Sequence, residues 1–307
     1  MICLRRLCAI GLLGGCLVLD TAGCGASPRR PDSARPATSA PVSPTASRTP
    51  GPGNHGLAMT WSGKQRTYTV HAPPGYLPTR LTPVVIVMHD RGGSATTMQQ
   101  MTGLDAKADQ VGFLVVYLDG VDGAFNALIC CGNEDDVGYV KALVAQLIRD
   151  WHADPDRVYL TGISNGGDMT FRLAVEVPGT FAAIAPVSGG FIGTRASSEA
   201  SFAPRSPVSI ITFIGARDRF AAAFTEGIQT WQSRIRCPRA SSQALNGGQV
   251  TRTISRCPDG SEVVAYRVEP MSHAWPGGAA VGLGDPNAPI NATDLLWQFF
   301  ADHPRRR

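Results

Sequence analysis

The feature that most constrains the fold of this chain is a serine enclosed by glycines, the run Gly-Ile-Ser-Asn-Gly at residues 162–166. The apolar residues 158–160 before it predict a buried strand, and apolar residues at helical spacing resume from Met169. A sharp strand-to-helix turn requires glycines that flank the serine, because a Cβ there would meet the strand or the helix. The pattern predicts that Ser164 is a nucleophile; an ordinary turn that contains a serine is the alternative.

Continuous apolar runs predict the buried strands of a parallel sheet at residues 83–88, 113–117 and 207–214. Segments of helical periodicity, such as residues 137–151, separate them. This alternation predicts the α/β class, a doubly wound and mostly parallel sheet with helices on both faces. Ligands of such sheets bind beyond the carboxyl ends of the strands, and Ser164 follows such an end.

Three other stretches predict peripheral elements. Alternation at residues 67–70 predicts an edge strand, and residues 95–110 have the pattern of one helix. The residues between Cys237 and Cys257 are polar and lack apolar periodicity. We therefore expect an excursion from the sheet there, ahead of a strand at residues 263–268.

The start of the chain has the pattern of an exported protein. Two arginines precede the apolar residues 7–19, which are too few for a comfortable membrane span, as in a secretory signal. Small residues then lead to Cys24, which resembles the lipidated cysteine of bacterial lipoproteins. Cys16 is a rival lipidation site, and a freely secreted chain is the other alternative. Residues 26–56 consist largely of Ser, Pro, Ala, Thr and Arg, which predicts a disordered tether.

The predicted organisation is therefore a signal peptide at 1–23, a lipidated N-terminus and tether at 24–56, and one catalytic domain at 57–307. The protein would lie at the outer face of the cell membrane, or be secreted. Although the formal net charge is +4, the excess of positive charge belongs to the N-terminal segment and the last three residues. The body has no basic stripe with interleaved aromatic residues, so nucleic acid is not an expected partner.

A nucleophilic serine needs a base that takes its proton and an acid that orients the base. For a serine on this kind of turn, the acid and then the histidine follow in the chain. Of the two histidines beyond Ser164, His303 lies in an arginine-rich terminus, whereas His273 follows a strand, so His273 is the predicted base. Asp218 follows the strand that ends near residue 214 and is the predicted acid, ahead of Asp168 and Asp259. A surface ion pair with Arg217 or Arg219 is the alternative role for Asp218.

The developing oxyanion calls for backbone N–H groups as donors. One is predicted from Asn165, at the start of the helix that follows the nucleophile. The other is predicted from the loop after residue 88, at Asp90 or Arg91, where Gly92 and Gly93 allow close backbone approach. Trp275 and Phe191 are predicted walls of the substrate pocket, with the core as their alternative location.

Three runs together resemble the polyhydroxybutyrate depolymerase and feruloyl esterase family, which includes envelope lipoprotein esterases of the mycobacterial type. These are residues 154–167 around the serine, the run Ser-His-Ala-Trp-Pro-Gly at 272–277, and residues 130–139. The resemblance covers residues 67–278. It implies an α/β-hydrolase fold and a serine carboxylesterase that acts on acyl, polyester or aromatic-acid esters without a metal or organic cofactor. In it Ser164, Asp218 and His273 match the nucleophile, acid and base.

The chain departs from this family at two points. Asp90 follows His89 where the family has glycine, so a carboxylate is expected near the second oxyanion donor. The acid is preceded by Phe213, Ile214 and Gly215 rather than by the family's His-Gly run.

Four cysteines remain after the signal and the lipidation site, and an exported chain permits disulfides. A bridge between Cys237 and Cys257 would hold the polar excursion, and the family resemblance favours the same pair. The adjacent Cys130 and Cys131 are either a vicinal disulfide or two thiols. A zinc site is disfavoured because the Cys-x-x-Cys spacing is missing.

Three functions fit these residues. The first is an exported, lipid-anchored serine esterase whose partner is an ester, polymeric or from the cell envelope. The second is an acyltransferase of the same chemistry, and the third is a binding protein that has lost turnover, a role that Asp90 keeps open. The natural ester and the oligomeric state are not encoded in these patterns.

Overall fold

A ten-stranded sheet is the central feature of the computed structural model, which describes residues 50–238 and 240–305. Its strands in chain order are β1 (Gly53–Trp61), β2 (Lys64–Ala72), β3 (Thr82–Met88), β4 (Leu114–Leu118), β5 (Ala153–Ile163), β6 (Ala183–Val187), β7 (Ser209–Gly215), β8 (Ser241–Leu245), β9 (Val250–Arg256) and β10 (Glu262–Val268). Strands β11 (Trp275–Pro276) and β12 (Gly284–Asp285) form a separate short pair. The helices are α1 (Ala95–Thr102), α2 (Leu104–Val111), α3 (Asp136–Asp150), α4 (Asn165–Glu176), α5 (Thr194–Ser198), α6 (Ala221–Arg234) and α7 (Ala292–Asp302).

The strands lie in the order β1-β2-β4-β3-β5-β6-β7-β10-β9-β8. The six from β4 to β10 run parallel to one another, whereas β1, β2, β9 and β8 pair antiparallel at the two margins. This arrangement confirms the predicted mostly parallel sheet. The carboxyl ends of β3, β5, β6, β7 and β10 therefore meet at one edge, where the loops that matter for the site begin.

Two apolar cores lie on the two faces of the sheet, because successive side chains of a strand point in opposite directions. In β3, Val84, Ile86 and Met88 join one core, together with residues of α3, α4 and α6. Val85 and Val87 join the other, together with residues of α1, α2 and α7. The central strands are buried on both faces, which is why they are continuous apolar runs in the sequence.

Three peripheral predictions differ from the structure. Residues 67–70 belong to β2, which is not an edge strand because β1 pairs along its whole length. The helix predicted over 95–110 is two helices, α1 and α2, since Gly103 between them has a left-handed backbone with φ 67°. The polar excursion after Cys237 contains β8, whose side chains are largely exposed, and β9, whose side chains are mostly half-buried, so neither shows the apolar alternation of a strand.

The described body begins earlier than the domain boundary predicted at residue 57. The backbone of Gly53 to Gly56 pairs with β2, opposite Ala72 to Thr69, so these residues are part of the sheet rather than of the tether. The signal peptide, Cys24 and the rest of the predicted tether lie outside the described residues. Within residues 50–238 and 240–305, no helix has the length and apolar character needed to cross a membrane.

Candidate active site

Ser164 occupies the sharp turn between β5 and α4 and has a positive backbone φ of 56°. This conformation is strained for a residue with a side chain, and such strain is concentrated at functional sites. The Ser164 N–H donates to the Val187 carbonyl at 3.0 Å, and the Ser164 carbonyl accepts from Asp168 N–H at 2.9 Å. These bonds hold the turn between β6 and the first turn of α4.

Gly162 and Gly166 are required by the close approach of backbone on both sides of this turn. A Cβ on Gly162 would lie 2.6 Å from the carbonyl carbon of Gly166. A Cβ on Gly166 would collide with the Met88 carbonyl and would lie 2.7 Å from the His89 carbonyl oxygen. The serine can therefore be presented only where its two flanking residues lack side chains.

His273 and Asp218 are brought together by the loops that follow β10 and β7. His273 Nδ1 lies 2.6 Å from Asp218 Oδ2, and the Asp218 side chain is fully buried while that of His273 is 26% exposed. Asp218 Oδ1 accepts from the Phe220 N–H at 2.9 Å, which fixes the carboxylate plane. Asp218 thus pairs with the histidine and not with Arg217 or Arg219.

The two loops are joined through their backbones. The Arg217 N–H donates to the Met271 carbonyl at 3.0 Å. Gly215 passes so close to the histidine loop that an added Cβ would lie 2.5 Å from the Met271 carbonyl oxygen. Since β7 and β10 are neighbours in the sheet, residues 55 positions apart along the chain reach hydrogen-bonding distance.

Ser188 also holds the histidine loop, and the sequence alone did not indicate it. Its hydroxyl donates to the Ala274 carbonyl at 3.1 Å and accepts from the Ala274 N–H at 3.2 Å. Ser188 is fully buried at the end of β6. Its position directly after an apolar run was the signal in the sequence that could have identified it.

The predicted oxyanion donors lie around the same cavity as Ser164. The Asn165 N–H belongs to the first residue of α4 and has no acceptor within the helix. The Asn165 side chain accepts from the Phe125 N–H at 2.8 Å and donates to its carbonyl at 3.0 Å, which anchors the loop after β4. The loop after β3, with Asp90 and Arg91, is held by the Gly92 N–H, which donates to the Gly123 carbonyl at 2.7 Å.

A cavity of about 630 Å³ connects these residues. Ser164, Asp218 and His273 all line it, as do Asn165, Asp90 and Arg91. Its apolar walls come from Ile129, Cys130, Phe220 and Leu283.

The prediction that Trp275 and Phe191 form the pocket walls is wrong. Trp275 is fully buried, and its indole N–H donates to Thr293 Oγ1 at 3.2 Å, within the core against α7. Phe191 is 1% exposed and packs against Phe171 and Trp231. Both aromatic rings pack within the core, and neither faces the cavity.

Asp168 lines the floor of the cavity as a buried carboxyl group. Its Oδ1 accepts from the Gly190 N–H at 2.8 Å. Burial raises the pKa of Asp168 to about 7, and the Gly190 hydrogen bond opposes this shift only in part.

The described cysteines form two disulfides. Cys237 is bonded to Cys257, the predicted pair, and the adjacent Cys130 and Cys131 are bonded to each other. Cys130 lies at the cavity, with its Sγ 3.7 Å from Nδ2 of the Asn165 side chain. Across residues 50–238 and 240–305, no three His, Cys, Asp or Glu side chains form a group suited to a metal ion.

The topology of the sheet and the serine on its elbow define the α/β-hydrolase fold. A model of the "Esterase PHB depolymerase" family matches residues 66–206. The chain is 32% identical over 254 residues to "Putative esterase NocK" from Nocardia uniformis subsp. tsuyamanensis, across 71% of this chain and 72% of that protein. The chain belongs to the esterase PHB depolymerase family and is a serine esterase.

Two further proteins are similar to this chain. The chain is 26% identical to feruloyl esterase C of Emericella nidulans, over 76% of this chain and 83% of the relative. The acetyl xylan esterase from Aspergillus awamori has the same fold, with a TM-score of 0.56, 15% identity, and coverage of 77% of this chain and 94% of that one. At that identity the second likeness is one of fold alone.

Proposed function

We propose that this esterase works through an acyl-enzyme on Ser164, with His273 as general base and Asp218 as the group that orients it. The observation that carries the proposal is the 2.6 Å contact between His273 and the buried Asp218, on the rim of the cavity that Ser164 also lines. A carboxylate on Nδ1 leaves Nε2 of the imidazole as the proton acceptor and stabilises the imidazolium that forms.

The reaction has two halves of the same form. Ser164 Oγ attacks the ester carbonyl carbon while its proton passes to His273, and the collapse of the tetrahedral intermediate breaks the bond to the alcohol, which takes the proton from His273. Water then attacks the acyl-enzyme, with His273 again as base, and releases the acid and Ser164. The oxyanion would be held by the Asn165 N–H and by an N–H of Asp90 or Arg91.

The substrates we propose are acyl, polyester or aromatic-acid esters. The support is the family itself and the name of one relative, a feruloyl esterase. The cavity of about 630 Å³ has room for more than a small acyl group, and its walls are partly apolar.

Replacement of the nucleophile tests the mechanism. Ser164→Ala is expected to lower kcat on 4-nitrophenyl acetate by about 10⁴-fold or more and to abolish labelling by a fluorophosphonate probe. Ser197→Ala is the control, because Ser197 is exposed on α5 and is not among the residues that line the cavity. Wild-type turnover in Ser164→Ala would refute the mechanism, and an unlabelled wild-type protein would favour a binding protein without turnover.

We further propose that the protein is exported and anchored through Cys24. The support is the sequence alone: two arginines are followed by an apolar run, and small residues then precede Cys24. Metabolic labelling with a fatty acid is expected to mark the wild-type chain and not Cys24→Ala. A label that persists in Cys24→Ala and disappears in Cys16→Ala would instead assign the lipid to Cys16.

A further inference from the structure

Three arginines without a carboxylate partner lie around the catalytic cavity. Arg91 follows β3, and Arg217 and Arg219 stand on either side of Asp218. All three are exposed and line the cavity, and none of them forms an ion pair with any residue of 50–238 or 240–305. The Arg217 backbone is fixed by its bond to Met271, so the free part of this residue is its guanidinium group.

Arginines elsewhere in the described body are mostly engaged. Arg157, Arg172 and Arg305, for example, pair with Asp154, Glu176 and Asp156. Five described arginines have no hydrogen bond or ion pair at their guanidinium group, and three of these five share one cavity. A guanidinium offers a planar fork of donors that suits a carboxylate or a phosphate, which indicates an anionic ligand.

The acidic residues of the cavity do not cancel this charge at its rim. Asp218 is buried against His273. Asp168 is 4% exposed at the floor, and its raised pKa leaves it partly neutral near pH 7. Asp90 is half-buried and its carboxylate is turned onto its own loop, with its carboxyl carbon 3.2 Å from where a Cβ of Gly93 would lie.

The position of Arg219 relates this charge to the leaving alcohol. The Arg219 guanidinium carbon lies 4.6 Å from the centre of the Phe220 ring, and that ring centre lies 6.1 Å from the His273 ring centre. His273 is the group that returns a proton to the leaving alcohol, so the alcohol portion must lie beside it. Because only the Phe220 ring lies between the Arg219 guanidinium and His273, that guanidinium is placed to contact a group attached to the alcohol.

We propose that the cavity selects esters whose alcohol portion carries an anionic group, a carboxylate or a phosphate, bound by Arg217 and Arg219. Arg91, on the far loop, adds to the positive potential that attracts such an ester. The proposal rests on the esterase mechanism proposed above and adds a substrate class to it.

Matched acetate esters test this selectivity. 4-Acetoxybenzoate carries a carboxylate on its leaving phenol, and 4-acetoxybenzamide is its neutral counterpart of the same shape. The kcat/KM of each ester is divided by the rate constant of its hydrolysis by hydroxide, which corrects for intrinsic reactivity. For the wild-type protein this ratio is expected to be about tenfold higher for the carboxylate than for the amide at low salt. The difference should be smaller in 0.5 M NaCl. 4-Acetoxyphenyl phosphate is the second arm, and a larger preference for it would identify phosphate as the group recognised.

The double variant Arg217→Gln/Arg219→Gln is expected to lose this preference through a rise in KM for the anionic esters. Since the neutral amide has no charge for either guanidinium to bind, its KM should change less than the KM of the anionic esters. Arg217→Lys/Arg219→Lys should recover part of the preference. Arg205→Gln, at an exposed position that does not line the cavity, is the control and should behave as wild type.

The selectivity and the esterase mechanism fail in different ways. Equal wild-type values for carboxylate and amide, or a preference unchanged in the double variant, would overturn the selectivity while Ser164-dependent hydrolysis of the amide persisted. A preference restricted to an anionic acyl group, measured with 4-nitrophenyl hydrogen succinate against 4-nitrophenyl butyrate, would also overturn it. Loss of all Ser164-dependent turnover would instead refute the mechanism itself.

Discussion

Asp168 is a carboxyl group placed where a charge is poorly solvated, one turn beyond Ser164. It is 4% exposed and has the Gly190 N–H as its hydrogen-bond donor. Because water is excluded, the charged form is disfavoured and the pKa rises from 3.8 to about 7. Its ionisation therefore opposes folding at neutral and alkaline pH.

Asp168→Asn is expected to stabilise the protein more at high pH than at low pH. Between about pH 4 and pH 7 the unfolded chain has released the proton that the folded protein still holds, so stability falls as pH rises, and the full penalty remains above pH 7. The amide carries no such penalty and keeps an acceptor for Gly190. Urea unfolding should show a gain in free energy of unfolding roughly 2–3 kcal/mol larger at pH 8 than at pH 5. A gain that does not change with pH would contradict the buried ionisation.

Residues whose role follows from backbone geometry could be predicted from the sequence, whereas residues whose location follows from side-chain packing could not. The glycines around Ser164 could be interpreted from the sequence, since a strained turn requires them. The roles of Ser164, His273 and Asp218 stay predictions, although the structure brings the last two into contact. Trp275 was misplaced because an aromatic residue beside a histidine looks the same whether it faces a cavity or the core.

The elbow between β5 and α4 is the element on which the site depends. It exists because Gly166 packs directly on the carbonyl groups of Met88 and His89, at the end of β3. The neighbouring atoms are backbone and cannot rotate away as a flexible side chain could.

Gly166→Ala is therefore expected to displace α4 from β3, to lower the free energy of unfolding by about 3 kcal/mol or more, and to remove most esterase activity. Thermal melts and 4-nitrophenyl acetate hydrolysis measure the two effects. Gly56→Ala is the matched control, because a Cβ at that position of β1 meets nothing within 4 Å and stability should change by less than about 0.5 kcal/mol. Equal behaviour of the two variants would refute the steric account.

At the scale of the whole molecule, the Cys237–Cys257 disulfide joins the end of α6 to the end of β9 across 20 residues of chain. Between the two cysteines lie β8 and β9, the antiparallel margin of the sheet. The side chains of β8 are largely exposed. A margin with so little apolar burial depends on a restraint that lowers the entropy of the unfolded chain.

Removal of this bridge by Cys237→Ala/Cys257→Ala is expected to cost about 3 kcal/mol of stability, as the entropy of a closed loop of this length predicts. Activity at 25 °C should be retained, because none of these residues lines the catalytic cavity. Cys130→Ala/Cys131→Ala is the control for stability, since a bond between adjacent residues closes no long loop. A smaller loss in the first variant than in the control would contradict the entropic explanation, and melts under oxidising conditions provide the comparison.

Local patterns in the sequence determined the class of the protein. Apolar runs, helical periodicity and the glycines of the elbow depend on interactions between residues close together in the chain, so the parallel sheet and the turn that presents Ser164 could be predicted. Only the tertiary structure decided which side chains face the catalytic cavity: Phe220 and three arginines rather than Trp275 and Phe191. A cavity wall is formed by residues far apart in sequence, and its composition follows from how loops after β3, β7 and β10 pack, which no short pattern encodes.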